Sequence, residues 1–148
     1  MQAPQIDFYL LSQDHEIFNY SCRLTEKAFS TGFTVFILTK NVDDAKKLDD
    51  LLWSFRADSF IPHQMILSAN GNNAVYNDQT IPVIIGHTLP AICQCTLLIN
   101  LADKAVTNQN TFKRICHVVS DNAENIHTAK QAYATYKREN MSPKIINV

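Results

Sequence analysis

The chain has 148 residues, 46% of them hydrophobic, with 13 Lys and Arg against 14 Asp and Glu. That is the size and balance of one soluble globular domain. A net charge of -1 excludes a molecule that neutralises many phosphates together, and no apolar run reaches the ~18–20 residues of a membrane span.

In chain order, the opening "MQAPQIDFYLL" lacks a basic n-region and a long apolar core, so a signal peptide is not expected. Cys22, Cys93, Cys95 and Cys116 are then expected as reduced thiols of a cytoplasmic protein. "IDFYLL" (6–11) is a short apolar strand. Ile17, Tyr20, Leu24 and Ala28 follow at helical spacing, with Phe18 and Phe29 near that face, and Gly32 stops the helix. "TVFILT" (34–39) is a buried strand. Asn41 caps a second helix, with Asp43 and Asp44 complementing its dipole, and this helix runs to about Leu52.

Residues 55–80 carry little periodicity, and "ANGNNAVYND" (69–78) reads as a turn of the kind that joins hairpin strands. "IPVIIG" (81–86), "CTLLINL" (95–101) and "RICHVVS" (114–120) are strands. Asp121 with Glu124 three residues on makes a start like a capping box for a helix running to about Asn140. Residues 141–148, with Pro143 and Asn147, are a tail or short extension of a single 1–140 domain. Strands alternating with helices, and apolar strands without a polar face, predict an α/β fold with a mostly parallel central sheet covered by helices on both faces.

Such a sheet invites a nucleotide-binding reading, with a small nucleotide-dependent enzyme as the corresponding function. Phosphate cradles need glycine so that backbone N–H groups can approach the ligand. The chain has only Gly32, Gly71 and Gly86, and its first strand leads into "SQDHEIFNY", with two acids that would repel phosphate. Cys93 and Cys95, with Cys116 and His117, allow a zinc site to be drawn. They lack the paired C-x-x-C spacing that makes such a site convincing, and small buried thiols are the plainer reading. Asp43–Asp44 and Asp49–Asp50 are neighbours about 100° apart on a helix, poorly placed for a catalytic dyad. No cofactor, metal or catalytic residue is expected.

The unusual stretch is "LLWSFRADSFIPHQ" (51–64), which carries the lone Trp, two Phe, an Ile and a Pro just after a charged helix. Leu52 belongs to the buried stripe of that helix with Ala45 and Leu48, so Trp53, one residue on, should not enter the same core. Either the segment folds back to close the end of the sheet, or its aromatics beside Arg56 form a protein-binding patch of the hot-spot type.

Here the residues match a known pattern. "FYLL", "KKLDDLLWSFRADSFIPH", "PVIIG", "TLLINL" and "VVSDNAENIHTAKQAYATYKRE" stand in the order and spacing of the chi subunits of bacterial DNA polymerase III, which the chain resembles over nearly its whole length. The L-W-x(6)-F-x-P-H pattern at Leu52, Trp53, Phe60, Pro62 and His63 is the most specific part. The resemblance implies a Rossmann-like fold without a phosphate-binding loop and a non-catalytic role in DNA replication. Such adaptors tie the clamp loader, through the psi subunit, to the acidic C-terminal tail of single-stranded-DNA-binding protein, with little direct DNA binding. It implies that Trp53, Phe60, Pro62 and His63 contact psi, and that a repair helicase takes the same face in some members.

For the tail, recognition needs an apolar pocket beside a cation. Lys130, Tyr133 and Lys137 share one face of the last helix at i, i+3 and i+7, and Arg138 lies beside them. The resemblance places Val119, Lys130 and Tyr133 at tail-binding positions. Lys130 stands where Arg is usual, and Ala134 stands where Lys is usual, which leaves Lys137 and Arg138 as the compensating cations.

Overall fold

A computed structural model describes residues 4–13, 15–55, 60–66, 75–76, 81–90, 92–93, 95–102, 104–106 and 112–148. Through them the chain runs β1 (Gln5–Leu10), α1 (Ile17–Ser30), β2 (Val35–Leu38), α2 (Val42–Ser54), β3 (His63–Ile66), β4 (Val75–Tyr76), β5 (Val83–Gly86), β6 (Ile92–Cys93), β7 (Leu97–Asn100), β8 (Arg114–Val119), α3 (Ala123–Arg138) and β9 (Lys144–Asn147). Seven strands form one sheet in the order β3-β5-β2-β7-β8-β1-β9, and β4 pairs with β6 apart from it.

Every pairing among the described residues is parallel. This explains why β2, β5 and β7 are almost wholly apolar, with Asn100 at the end of β7 the exception. Alternate side chains enter two different cores, and neither face meets water. Val35, Ile37, Val83, Ile85, Leu97, Ile99, Cys116 and Val118 pack with Ala45, Leu48 and Leu52 of α2 and with Cys22 and Ala28 of α1. Phe8, Phe36, Ile84, Leu98, Ile115 and Val119 pack with Ala132 and Tyr136 of α3 on the other face. The α/β architecture expected from the sequence is the one observed.

Helix ends follow local chemistry. Asn41 caps α2, its side chain accepting from the Asp44 N–H at 2.8 Å, with Asp43 and Asp44 in the first turn. Gly32 adopts φ 96° just past α1, a conformation that costs a residue with a Cβ. The cap of α3 differs from expectation: it is Asn122, not Asp121. Asn122 is extended and its Oδ1 accepts from the Asn125 N–H at 2.8 Å, so Glu124 lies in the first turn and does not close a capping box on Asp121. The helix ends at Arg138, and Asn140 has φ 64°.

Three further differences bear on the site. α2 continues to Ser54, so Trp53 is helical. The hairpin reading of 69–78 does not hold for residues 75–76, which form β4 and pair in parallel with β6; residues 69–74 and 77–78 lie outside the described residues. Residues 144–147, within the expected extension, form the edge strand β9, registered on β1 from Asp7↔Lys144 to Leu10↔Asn147. No described helix is long and apolar enough to cross a membrane.

Candidate functional site

The first surface is built where α2 turns into β3. Leu52 is buried, whereas Trp53, one residue along the helix, is 50% exposed. Past the turn, Phe60 is 71% exposed and Ile61 only 2%. The chain therefore fastens itself with Ile61, in the α1/α2 core, and leaves the two flanking aromatics outside. Arg56, Ala57, Asp58 and Ser59 lie outside the described residues.

The exposed rings are not loose. The Trp53 ring lies 5.6 Å from that of Phe60 and 4.1 Å from the His63 imidazole, centroid to centroid. At these separations the tilted rings attract one another weakly and hold each other in place. His63 itself is enclosed: its Nδ1 donates to the Ile61 carbonyl at 2.7 Å, and its Nε2 sits 3.2 Å from Asp49 Oδ1 and 3.3 Å from the Asp49 carbonyl. Pro62 is half-buried. Of the four residues expected in this patch, Trp53 and Phe60 face outward and Pro62 shapes the turn. His63 supports the indole from below, with none of its side chain exposed.

The second surface lies at the other edge of the sheet. Phe8, Leu10, Ile126, Ala129, Lys130, Tyr133 and Ile145 enclose an apolar pocket of about 190 Å³. A neighbouring cleft of about 320 Å³ shares Leu10 and Ile126 and adds Ser12, Val119, Asp121, Asn147 and Val148. Lys130 is exposed and Tyr133 half-buried, with the Tyr133 ring 5.8 Å from Phe8. The adjoining clefts thus bring Val119, Lys130 and Tyr133 together. Lys137 and Arg138 are exposed farther along α3, Lys137 about 10 Å up the axis from Lys130, and Arg138 donates to Thr135 Oγ1 at 3.2 Å. Neither lines the pocket.

Sequence reasoning named Lys130 and Tyr133 of this pocket and missed its other walls. Ile126, Ala129 and Tyr133 do stand at i, i+3 and i+7, and Phe8 and Leu10 at strand spacing, so both signals were present. Ile145, 55% exposed, had no signal, because its role depends on β9 pairing with β1.

Of the residues from which a zinc site could be drawn, Cys116 is separated by the sheet from Cys95 and His117. Cys116 and His117 are consecutive in β8 and project to opposite faces. Cys95 and Cys116 lie in different cores. Burial pushes the Cys116 thiol up to about 11 and the Cys22 thiol up to about 12, so both stay protonated near neutrality. The Cys93 side chain lies outside the description.

The model of the family described as DNA polymerase III chi subunit, HolC, matches residues 3–144. A curated relative, DNA polymerase III subunit chi of Pseudomonas aeruginosa, is 29% identical over 137 residues, covering 91% of this chain and 90% of the relative. The chain therefore belongs to the DNA polymerase III chi subunit family, accessory proteins of DNA replication.

Proposed function

We propose that this protein is a non-catalytic adaptor that holds two partners at once. The Trp53–Phe60 patch docks the psi subunit, or a repair helicase in its place, and so joins the clamp loader. The α3–β9 groove takes the acidic C-terminal tail of single-stranded-DNA-binding protein. The pocket receives the apolar terminal side chain of that tail, and Lys130 its free carboxylate, with Lys137 and Arg138 facing the acids upstream.

The observation that carries this reading is the separation of the two surfaces. β3, which begins at His63, is one edge of the sheet, and β9, which carries Ile145, is the other. Six inter-strand steps of about 4.8 Å put roughly 29 Å between those edges. Two partners can sit there without meeting, as an adaptor requires and as two subsites of one active site would not.

The test is reciprocal. Phe60→Ala should lose capture of psi and keep its affinity for a tail peptide, and Lys130→Ala should do the reverse. If either variant lost both partners while keeping its circular dichroism spectrum, the two-surface assignment would fail.

A further inference from the structure

At the carboxyl ends of β5, β2 and β7 the sheet opens into a cleft of about 470 Å³, away from both surfaces described above. Its polar lining is Thr39, Lys40, His87, Thr88 and Lys104, set against apolar neighbours such as Leu89 and Val106. The crevice outside the carboxyl ends of parallel strands is where open α/β sheets hold ligands. Here it has no glycine-rich turn, so side chains rather than backbone N–H groups would have to do the holding.

Three features point to an anion. The first is charge: residues 1–109 carry 7 Lys and Arg against 11 Asp and Glu, yet Lys104 and Lys40 both line this cleft. The second is a buried donor or acceptor: His87 Nδ1 is buried and has no hydrogen-bond partner among the described residues. A buried ring nitrogen left unmatched is costly, and a ligand oxygen would satisfy it when the nitrogen carries its proton.

The third is scaffolding. Asn100, 1% exposed, donates from Nδ2 to the Lys104 carbonyl at 2.8 Å and accepts from the Ala102 N–H at 2.9 Å. Two residues beyond Lys104, the Val106 N–H donates to the Tyr136 hydroxyl at 2.9 Å. The segment that carries Lys104 is thus fastened on both sides of it.

We propose that this cleft binds the phosphate group of a small ligand, through Lys104 as the charge and His87 Nδ1 as a directed donor. The shared chemistry is a phosphate or phosphate monoester, and no reaction on it is implied.

The test follows the His87 ring resonances of the full-length protein by NMR, assigned with His87→Asn, during titration with inorganic phosphate. Sodium chloride at matched ionic strength is the control. The expected result is a saturable shift with phosphate that chloride does not reproduce, weakened about tenfold in Lys104→Gln, the loss expected when a charged hydrogen-bond donor is removed. A parallel titration with a mononucleotide identifies the source. Tighter binding than phosphate assigns the site to a nucleotide, and equal binding assigns it to the phosphate group alone. A non-saturating shift, a shift matched by chloride in the wild-type protein, or undiminished affinity in Lys104→Gln would overturn the proposal.

Discussion

At the scale of single residues, the sequence from Leu52 to His63 assigns each large side chain one of two jobs. Leu52 and Ile61, each 2% exposed, hold the segment down; Trp53 and Phe60 stay out. Truncation should therefore separate them. Ile61→Ala removes buried methylenes and should cost about 2–4 kcal/mol of stability, read as a shift of the urea midpoint. Trp53→Ala should leave that midpoint within about 1 kcal/mol and instead weaken psi binding by about 2 kcal/mol or more, as hot-spot truncations do. A Trp53→Ala protein that unfolds would return the indole to the core. Asp49 extends the argument by one contact, because its carboxylate reaches the His63 Nε2 on the far side of the imidazole from Ile61. Asp49→Ala should loosen the imidazole beneath the indole and cost about 1 kcal/mol of psi affinity. The emission of the chain's lone Trp should shift with it, and unchanged emission with unchanged affinity would show that Asp49 supports nothing.

At the scale of elements, the groove proposed for the tail is the space between α3 and the β1–β9 edge. It exists only because β9 pairs with β1, the Val148 N–H reaching the Leu10 carbonyl at 3.0 Å. Ile145 is the wall that β9 contributes. Ile145→Asp should weaken a tail peptide about tenfold or more, since it places a carboxylate where both the peptide's apolar terminus and its negative charge must fit. Lys130→Arg should strengthen binding through the bidentate fork that Lys lacks, and affinity should fall with added salt. A peptide that binds Ile145→Asp normally would have to lie elsewhere. This groove also shows how much could be read beforehand. The charged rim on α3 was legible, because helical spacing alone fixes which residues share a face. β2, β5, β7 and β8 were legible because strands buried on both faces are dominated by apolar residues, even though β7 ends in Asn100 and β8 carries Arg114 and His117. β3 ("HQMI") was missed because an edge strand of mixed polarity carries no such signature, and β9 because four residues after a proline carry too little pattern of their own. Their strand identity is conferred by partners far away in sequence.

At the scale of the whole molecule, one buried polar chain ties the sheet, α3 and the cleft loop together, and its protonation sets an acid limit on the fold. His117 is 2% exposed and stacks on Phe8 with ring centroids 4.5 Å apart. Its Nε2 is 2.8 Å from the Tyr136 hydroxyl, which also accepts from the Val106 N–H. That hydroxyl, already an acceptor, has its own proton to give, so neutral His117 accepts at Nε2. Burial lowers the imidazole pKa from 6.5 to about 3. Below 6.5 the unfolded chain therefore takes up a proton that the folded chain refuses. The stability that neutral His117 contributes is complete above pH 6.5, is lost at up to about 1.4 kcal/mol per pH unit as pH falls, and levels off once the folded form also protonates near 3. Between pH 6.5 and 5 the wild-type protein should lose about 1.5 kcal/mol more than His117→Gln, since titrating groups common to both proteins cancel in the comparison. Urea unfolding of both proteins at the two pH values measures that difference. Equal losses would mean that His117 is protonated inside the fold and that Tyr136 accepts from it as well as from Val106.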